Sequence, residues 1–404
     1  MYSFPLDRLR AEVEWLARNR IEFVYMGDSN WGMLPQDREV ADMLVEAKSR
    51  WGFPERVLAN APKNSSAKVF DLFDKLKTVG LQKSVTLSMQ SWNPATLVSI
   101  KRSNIKSKTY EELQTLSKQR EISTYSELIL GLPGETLQSF CDGIDKCIDG
   151  GAHDGLLVYL CRVLPGSEMD ADAYRELHGI ETARLPIQAN HGSLAAAAVG
   201  PPEYEETIVA TKTMPHADWL EAQRIAWFVE VFFVLGIARL PLLWLRGQGV
   251  KVTEFARWAW REMSRLEGGG YGRPVYLQLH GEWRRLVGYL AAQSEGMSEV
   301  PNDGIRGLRL DAFGDIRWPI EEASWLALML RKDEMYAELL ALIEAFCDAR
   351  GLNKYAVGVS VRENMARIKH WNDGVSPSDP AEFAKTVLWH GRRGGSMLRP
   401  EVKP

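Results

Sequence analysis

The sequence predicts an α/β fold: a partial parallel (β/α)6 TIM-like barrel lacking its first strand, followed by a mainly helical C-terminal domain. Three observations carry this. Five short apolar strands begin about every 30 to 40 residues with amphipathic helices between them, the rhythm of consecutive βα units that pair as a parallel sheet. A helix opens the series, so the strand that should precede it is not in the chain, and five strands become an original six. After residue 169 the texture changes to long helical patterns.

Leu6, Leu9, Val13 and Leu16 fall on one face behind Pro5, giving an amphipathic helix over 5–18. Strand 21–26 follows and ends at Gly-Asp-Ser-Asn. Val40, Leu44 and Ala47 mark the next helix, 56–61 a strand, 69–79 a helix, and 84–89 a strand ending at Gln-Ser-Trp-Asn-Pro. Residues 110–120 read as a helix opened by Thr109, with Glu112 completing a capping box. Strand 124–130, helix 140–148 and strand 155–163 close the series.

The expected domains are a barrel over 1–185, a linker rich in Ala, Gly and Pro over 186–217, a helical domain over 218–391 and a basic tail over 392–404. Helices are expected over 219–246 with a break near Pro241, then 252–266, 276–292, 320–350 and 354–370. Tryptophans crowd the stretch from Trp219 to Trp325, as bulky core or as an aromatic-lined groove, packing being the simpler use.

Composition narrows the function classes. At 404 residues, 45% hydrophobic and 25% charged, the chain has room for two domains and no sign of disorder. A net charge of -4 argues against a broad phosphate-binding surface, so nucleic acid is not an expected partner. The first ten residues hold no apolar signal segment. Residues 225–245, the most apolar stretch, are interrupted by Glu230, Arg239 and Pro241, so buried helices rather than a membrane span are expected, in a cytoplasmic protein. Cys141, Cys147, Cys161 and Cys347 have no chelating spacing and read as reduced, buried thiols. The seven histidines are scattered without zinc spacing.

Four strand ends offer chemistry. Gly27, Asp28 and Asn30, on the loop after the first strand, could accept hydrogen bonds from an ammonium group, or the loop is an Asx turn capping the next helix. Alternation puts Ser88 and Gln90 on one side of their strand; if it faces inward they meet a ribose or substrate, or they are a satisfied core pair. Glu127, Ile129 and Gly131 share a side likewise, and Glu127 becomes a barrel-lining carboxylate or the partner of a barrel arginine. Either Tyr159 and Cys161 or Arg162, on the opposite side, looks into the barrel; Tyr159 and Cys161 are taken as lining residues and Arg162 as packing. The first of these strands to consider as a ligand loop is 125–136, Tyr-Ser-Glu-Leu-Ile-Leu-Gly-Leu-Pro-Gly-Glu-Thr, where an apolar strand breaks at glycines that let backbone approach a flat ligand; an ordinary strand-to-helix turn reads the same way.

Gly-Asp-Ser-Asn-Trp-Gly followed by Glu-Leu-Ile-Leu-Gly-Leu-Pro-Gly-Glu-Thr, on successive strands of residues 5–169, resembles the core of a radical S-adenosylmethionine (SAM) enzyme. The likeness is greatest to the subgroup with an upstream cobalamin-binding domain. It implies an open barrel that holds a [4Fe-4S] cluster and SAM, cleaves SAM reductively, and starts methyl transfer or oxidoreduction on a small metabolite, with an external electron donor such as flavodoxin or ferredoxin. It places Gly27, Asp28 and Asn30 at the methionine end of SAM, Ser88 and Gln90 near the ribose or substrate, and Ile129 and Gly131 by the adenine. Glu127, Tyr159 and Cys161 are the candidate catalytic residues. The family's Cys-x-x-x-Cys-x-x-Cys loop is not in the sequence, which is expected to be an N-terminally truncated fragment, inactive as it stands, its cobalamin held by sequence not present. A cluster-less barrel acting as a binding module is the alternative.

Overall fold

A computed structural model describes residues 3–28, 30–62, 67–82, 84–152, 155–187, 193, 203–266, 279, 281–284, 286 and 318–368. The chain divides into two compact units, one of Met1–Ile129 with Lys146–Tyr159, the other of Leu130–Asp145 with Leu160–Pro404.

In the first unit the strands are β1 (Phe23–Tyr25), β2 (Arg56–Leu58), β3 (Ser84–Gln90), β4 (Ser123–Leu130) and β5 (Leu156–Leu160). β1 and β2 run parallel with Phe23 opposite Arg56, and β3 and β4 run parallel with Ser84 opposite Ser123. β5 lies on the other side of β4. Between the two groups the Val57 amide donates to the Leu81 carbonyl at 2.9 Å, and the buried Gln82 side chain accepts from the Ala59 amide and donates to its carbonyl. Strands therefore neighbour one another in chain order, as βα units dictate.

Alternation sorts the side chains of this sheet. Val85, Leu87 and Met89 on β3 and Thr124, Ser126 and Leu128 on β4 are buried, whereas Thr86, Ser88 and Gln90, and Tyr125, Glu127 and Ile129, remain half-exposed on the other side. The buried polar groups are satisfied: Thr124 donates to Gln114 at 2.6 Å, Gln114 donates to Tyr110 at 3.0 Å, and the Tyr110 hydroxyl is bonded to Ser126.

The helices that alternate with these strands are α1 (Leu6–Arg18), α2 (Asp37–Trp51), α3 (Ala67–Thr78), α4 (Pro94–Ser99) and α5 (Ser107–Gln119), and α6 (Leu137–Asp149) follows β4. Asn93 caps α4 by accepting from the Ala95 amide at 3.1 Å, with Pro94 at the first helical position, where no N–H is needed. Helix α5 starts earlier than the expected Thr109 cap. Its N-cap is Lys106 with no side-chain bond, and Glu112 lies instead 4.0 Å from Lys108, one turn away.

The second unit holds two strands the sequence reading did not anticipate. β6 (Arg162–Val163), β7 (Glu181–Pro186) and β8 (Tyr204–Ala210) form an antiparallel sheet in the order β6-β8-β7, with α7 (Asp172–His178) between β6 and β7. The expected linker 186–217 thus contains β8, and most of its first half lies outside the described residues. The Leu130 carbonyl accepts from the Cys161 amide at 2.8 Å, and the Cys161 carbonyl from the Ile208 amide at 2.9 Å.

From His216 onward the described residues are helical: α8 (His216–Phe228), a π-helical turn (Val229–Val234), α9 (Arg239–Gly247), α10 (Val252–Leu266), α11 (Ile320–Leu330), α12 (Lys332–Arg350) and α13 (Lys354–Arg367). The expected break near Pro241 falls before it, and the chain bends by 104° there. Pro241 sits in the first turn of α9, where its missing N–H costs nothing. Buried Asn364 clamps the bend, donating to the carbonyls of Gly236 at 2.9 Å and Ile237 at 2.7 Å and accepting from the Leu240 amide at 2.9 Å.

Trp219, Trp227, Trp260 and Trp325 are buried, with the Trp227 ring tilted against that of Trp260 at 5.7 Å, so these tryptophans form core. Among the described residues no single helix is long and apolar enough to cross a membrane. The expected helix over 276–292 and the tail over 392–404 lie largely or wholly outside the described residues.

Candidate functional site

The open side of the first unit's sheet gathers polar groups near the C-terminal ends of its strands. Ser88 on β3 faces Glu127 on β4 in register, and its hydroxyl donates to the Glu127 carboxylate. Arg102, in the segment after α4, donates through Nη2 to the Ser88 carbonyl at 3.2 Å. Its Nε is buried with no hydrogen-bond partner. Burial pulls the Arg102 guanidinium below its usual range while the neighbouring Glu127 charge opposes that pull. A hydroxyl, a carboxylate and a half-used guanidinium therefore meet on one rim, two of them predicted from sequence and one not.

Lower on the same side, Tyr125 is bonded to Thr86, and burial raises its phenol above the usual value, with Glu127 and Tyr25 adding to the effect. Asn60 donates to the Tyr25 hydroxyl at 2.8 Å. Ile129 shares the side of Glu127, two residues further toward the rim. A Cβ on Gly155 would stand 2.8 Å from that of Tyr125, so Gly155 faces this side, and alternation brings Tyr159, 47% exposed, onto it as well.

At the tip of β3 the chain departs from strand geometry. Gln90 has φ of +58°, and the register slips so that Gln90 stands opposite Leu128, leaving Met89 as an extra residue. The Ser91 amide donates to the Met89 carbonyl at 2.7 Å, a γ-turn centred on Gln90. A glutamine in the left-handed region is uncommon outside strained or functional positions.

The loop after β1 shows the Asx turn considered above: the Asn30 amide donates to the exposed Asp28 carboxylate at 2.8 Å. Gly27 is exposed beside it, and Ser29 lies outside the described residues. Trp31 anchors the loop, its ring buried edge-on to Phe73 at 5.6 Å and its amide donating to the Asn60 carbonyl at 3.0 Å. Asp37, at the start of α2, accepts from the amides of Gly32 and Leu34 at 2.8 and 2.9 Å. Gly27, Asp28 and Asn30 thus follow the C-terminal end of β1, as Gln90 ends β3, with β1 parallel to β2 and β3 parallel to β4.

Gly131 and Cys161 belong to the second unit and touch each other there. Gly131 has φ of +97°, and a Cβ on it would meet the Ile208 carbonyl at 3.2 Å and the Cys161 Cβ at 3.5 Å. Cys161 is buried with its Sγ 3.8 Å from the Met169 sulfur. The expectation that Arg162 serves as packing is corrected: it is exposed and paired with Glu205 of β8 at 2.9 Å. Buried Glu135, at the end of the Gly-Leu-Pro-Gly-Glu turn, accepts from Ser139.

The cysteines do not offer a thiolate set. All four are buried, and burial pushes the thiols of Cys141, Cys147 and Cys161 up to about 12. Among the described residues no three His, Cys, Asp or Glu side chains are placed to hold a metal ion.

No family model matches the chain. It is 28% identical over 411 residues to the cobalamin-dependent radical SAM methyltransferase TokK of Streptomyces tokunonensis, a match spanning 98% of this chain and 57% of TokK. This chain is a homologue of the cobalamin-dependent radical SAM methyltransferases. To the 2-(S-pantetheinyl)-carbapenam-3-carboxylate methyltransferase of Streptantibioticus cattleyicolor it is 32% identical, over 85% of this chain and 50% of that protein. The chain therefore spans about half the length of these curated relatives. TsrM of Kitasatospora setae, a radical SAM methyltransferase, aligns at 18% identity and a TM-score of 0.36 when solved with cobalamin and a [4Fe-4S] cluster, over 44% of this chain and 34% of TsrM. Solved with tryptophan and aza-SAM it aligns at 17% and 0.40, over 55% and 46%. At such scores these alignments add nothing to the geometry.

The rim residue that sequence reading passed over is Arg102. Its only signal was a cation in the polar stretch after a predicted strand end, one of 49 lysines and arginines in the chain.

Proposed function

We propose that this homologue of cobalamin-dependent radical SAM methyltransferases supplies the SAM-holding wall of such an enzyme, acting in methyl transfer to a small metabolite, and that β1 to β5 are the arc of an open barrel. The match to TokK over 98% of the chain carries the reading. When bound and reductively cleaved, SAM supplies a 5′-deoxyadenosyl radical for hydrogen abstraction, and in methyl transfer it also supplies the methyl group.

The rim residues fit that ligand. The orphaned Nε of Arg102 is a donor aimed at nothing, and a guanidinium fork suits the methionyl carboxylate. The Glu127 carboxylate, already accepting from Ser88, has oxygen lone pairs left for a ribose hydroxyl, and Gln90 stands beside it to bond the ribose or the methyl acceptor. Ile129 gives the adenine an apolar face. Gly27, Asp28 and Asn30 at the end of β1 supply acceptors for the methionyl ammonium. Tyr159 on the same side lines the space where the acceptor substrate would sit.

The cysteines of this chain do not fit a [4Fe-4S] cluster, since their protons are held by burial and no three ligands converge among the described residues. No residue here is assigned to the cluster or to cobalamin.

Titration of SAM and, separately, of 5′-deoxyadenosine into the protein, followed by saturation-transfer NMR, tests the assignment. Arg102→Met is expected to weaken SAM binding about tenfold or more and to leave 5′-deoxyadenosine, which has no carboxylate, unchanged. Equal loss for both ligands, or no SAM binding by the unaltered protein, would refute it.

A further inference from the structure

The strained turn at the tip of β3 is held from outside itself. Asn104 donates through Nδ2 to the Met89 carbonyl at 2.7 Å and to the Ser91 carbonyl at 2.6 Å, the two groups that flank Gln90. Two residues earlier in the same segment, Arg102 donates to the Ser88 carbonyl. The residue type does not favour the conformation: Gln90 is neither glycine nor asparagine, and its φ of +58° lies where an L side chain crowds its own backbone. A γ-turn with a positive central φ is itself rare and strained. Such a conformation persists only where its surroundings over-determine it, and a single amide bridging both flanking carbonyls does that.

We propose that Asn104 is a positioning residue, holding the Met89–Ser91 turn so that Gln90 projects over the rim beside the Ser88 and Glu127 pair. The inference rests on the reading that this rim holds SAM. The segment that carries Asn104 also carries Arg102, so one stretch of chain sets both the Gln90 turn and the guanidinium. Without the clamp the positive φ of Gln90 is no longer over-determined, and the Gln90 side chain is no longer fixed relative to the Ser88 and Glu127 pair.

Asn104→Asp tests this, because it keeps the shape, removes both N–H donors and sets a carboxylate against two carbonyl oxygens. Asn104→Ser, which retains one donor, is the milder companion should the first fold poorly. Hydrogen exchange at the Ser91 amide is read without ligand, and SAM affinity by the same NMR titration. Asn104→Asp is expected to speed Ser91 exchange at least tenfold while the amides of β1 and β2 keep theirs, and to weaken SAM about tenfold, with Asn104→Ser between. Adding Gln90→Gly to Asn104→Asp is expected to restore the slow Ser91 exchange, since glycine takes a positive φ without strain, but not the affinity, since the side chain is gone. Ser91 exchange that is unchanged in Asn104→Asp overturns the proposal. So does a variant that loses thermal stability yet binds SAM as before, which would make Asn104 structural only. If the unaltered protein shows no SAM signal while Ser91 exchange still rises in the variant, the clamp stands and the SAM reading falls.

Discussion

Single residues differ sharply in how far their neighbours constrain them. Glu127 and Ser88 satisfy each other, so either could be lost with modest effect on stability, whereas Gly131 has no such freedom. Its φ of +97° strains any side chain, and a Cβ would crowd the Ile208 carbonyl at 3.2 Å. Gly131→Ala is expected to destabilise the fold by about 1 to 2 kcal/mol, measured by chemical denaturation. Glu127→Gln should leave thermal stability nearly unchanged and lower affinity for 5′-deoxyadenosine, because the amide has one accepting oxygen, already used by Ser88, where the carboxylate has two and a charge. Equal binding by the variant would remove Glu127 from the site. Alternation alone placed Ser88, Glu127 and Ile129 on a common side. Arg102 and Asn104 escaped detection because a residue distant in sequence reaches a strand end only through the path of the intervening helix, which no pattern encodes.

At the scale of elements, the bend between the π-helical turn and α9 has two tests. Asn364 satisfies two carbonyls and one amide of the bend from the middle of α13, so Asn364→Ala leaves three buried backbone groups unpaired and should cost about 3 kcal/mol in chemical denaturation. The π-helical turn also carries Glu230, whose carboxyl is pushed well above its usual range by burial first and then by Glu321 and Glu322, with Arg239 opposing. Glu321 is raised as well, again by burial. A carboxyl raised in the folded state favours the neutral form there, so its penalty is absent below the unfolded value and grows as pH rises toward the folded one. Stability of the helical unit should therefore fall from about pH 5 toward neutral pH, and Glu230→Gln should flatten that fall, as read from melting temperatures across pH. A parallel pH profile in the variant would place the effect elsewhere. The sequence located this break near Pro241. The observed break precedes it because proline is harmless in a first helical turn, and the bend is fixed instead by Asn364, more than a hundred residues away.

For the whole molecule, the order of strands was legible and their completion was not. The recurrence of apolar strand and amphipathic helix determined that β1 to β5 would neighbour one another in chain order, since a parallel pair needs a crossover and a short crossover reaches only the next position. The same sequence carried the resemblance that the match to TokK then supported. It did not reveal β7 and β8, whose antiparallel pairing brings residues 181–186 against 204–210 across a stretch rich in Ala, Gly and Pro. Periodicity is a property of one segment, and it fixes which side of a strand or helix is apolar. Which distant segment supplies the missing hydrogen bonds is a property of two, and only the tertiary structure decided that Asn104 would clamp Gln90, that Arg102 would approach Glu127, and that Gly131 would lie against Ile208.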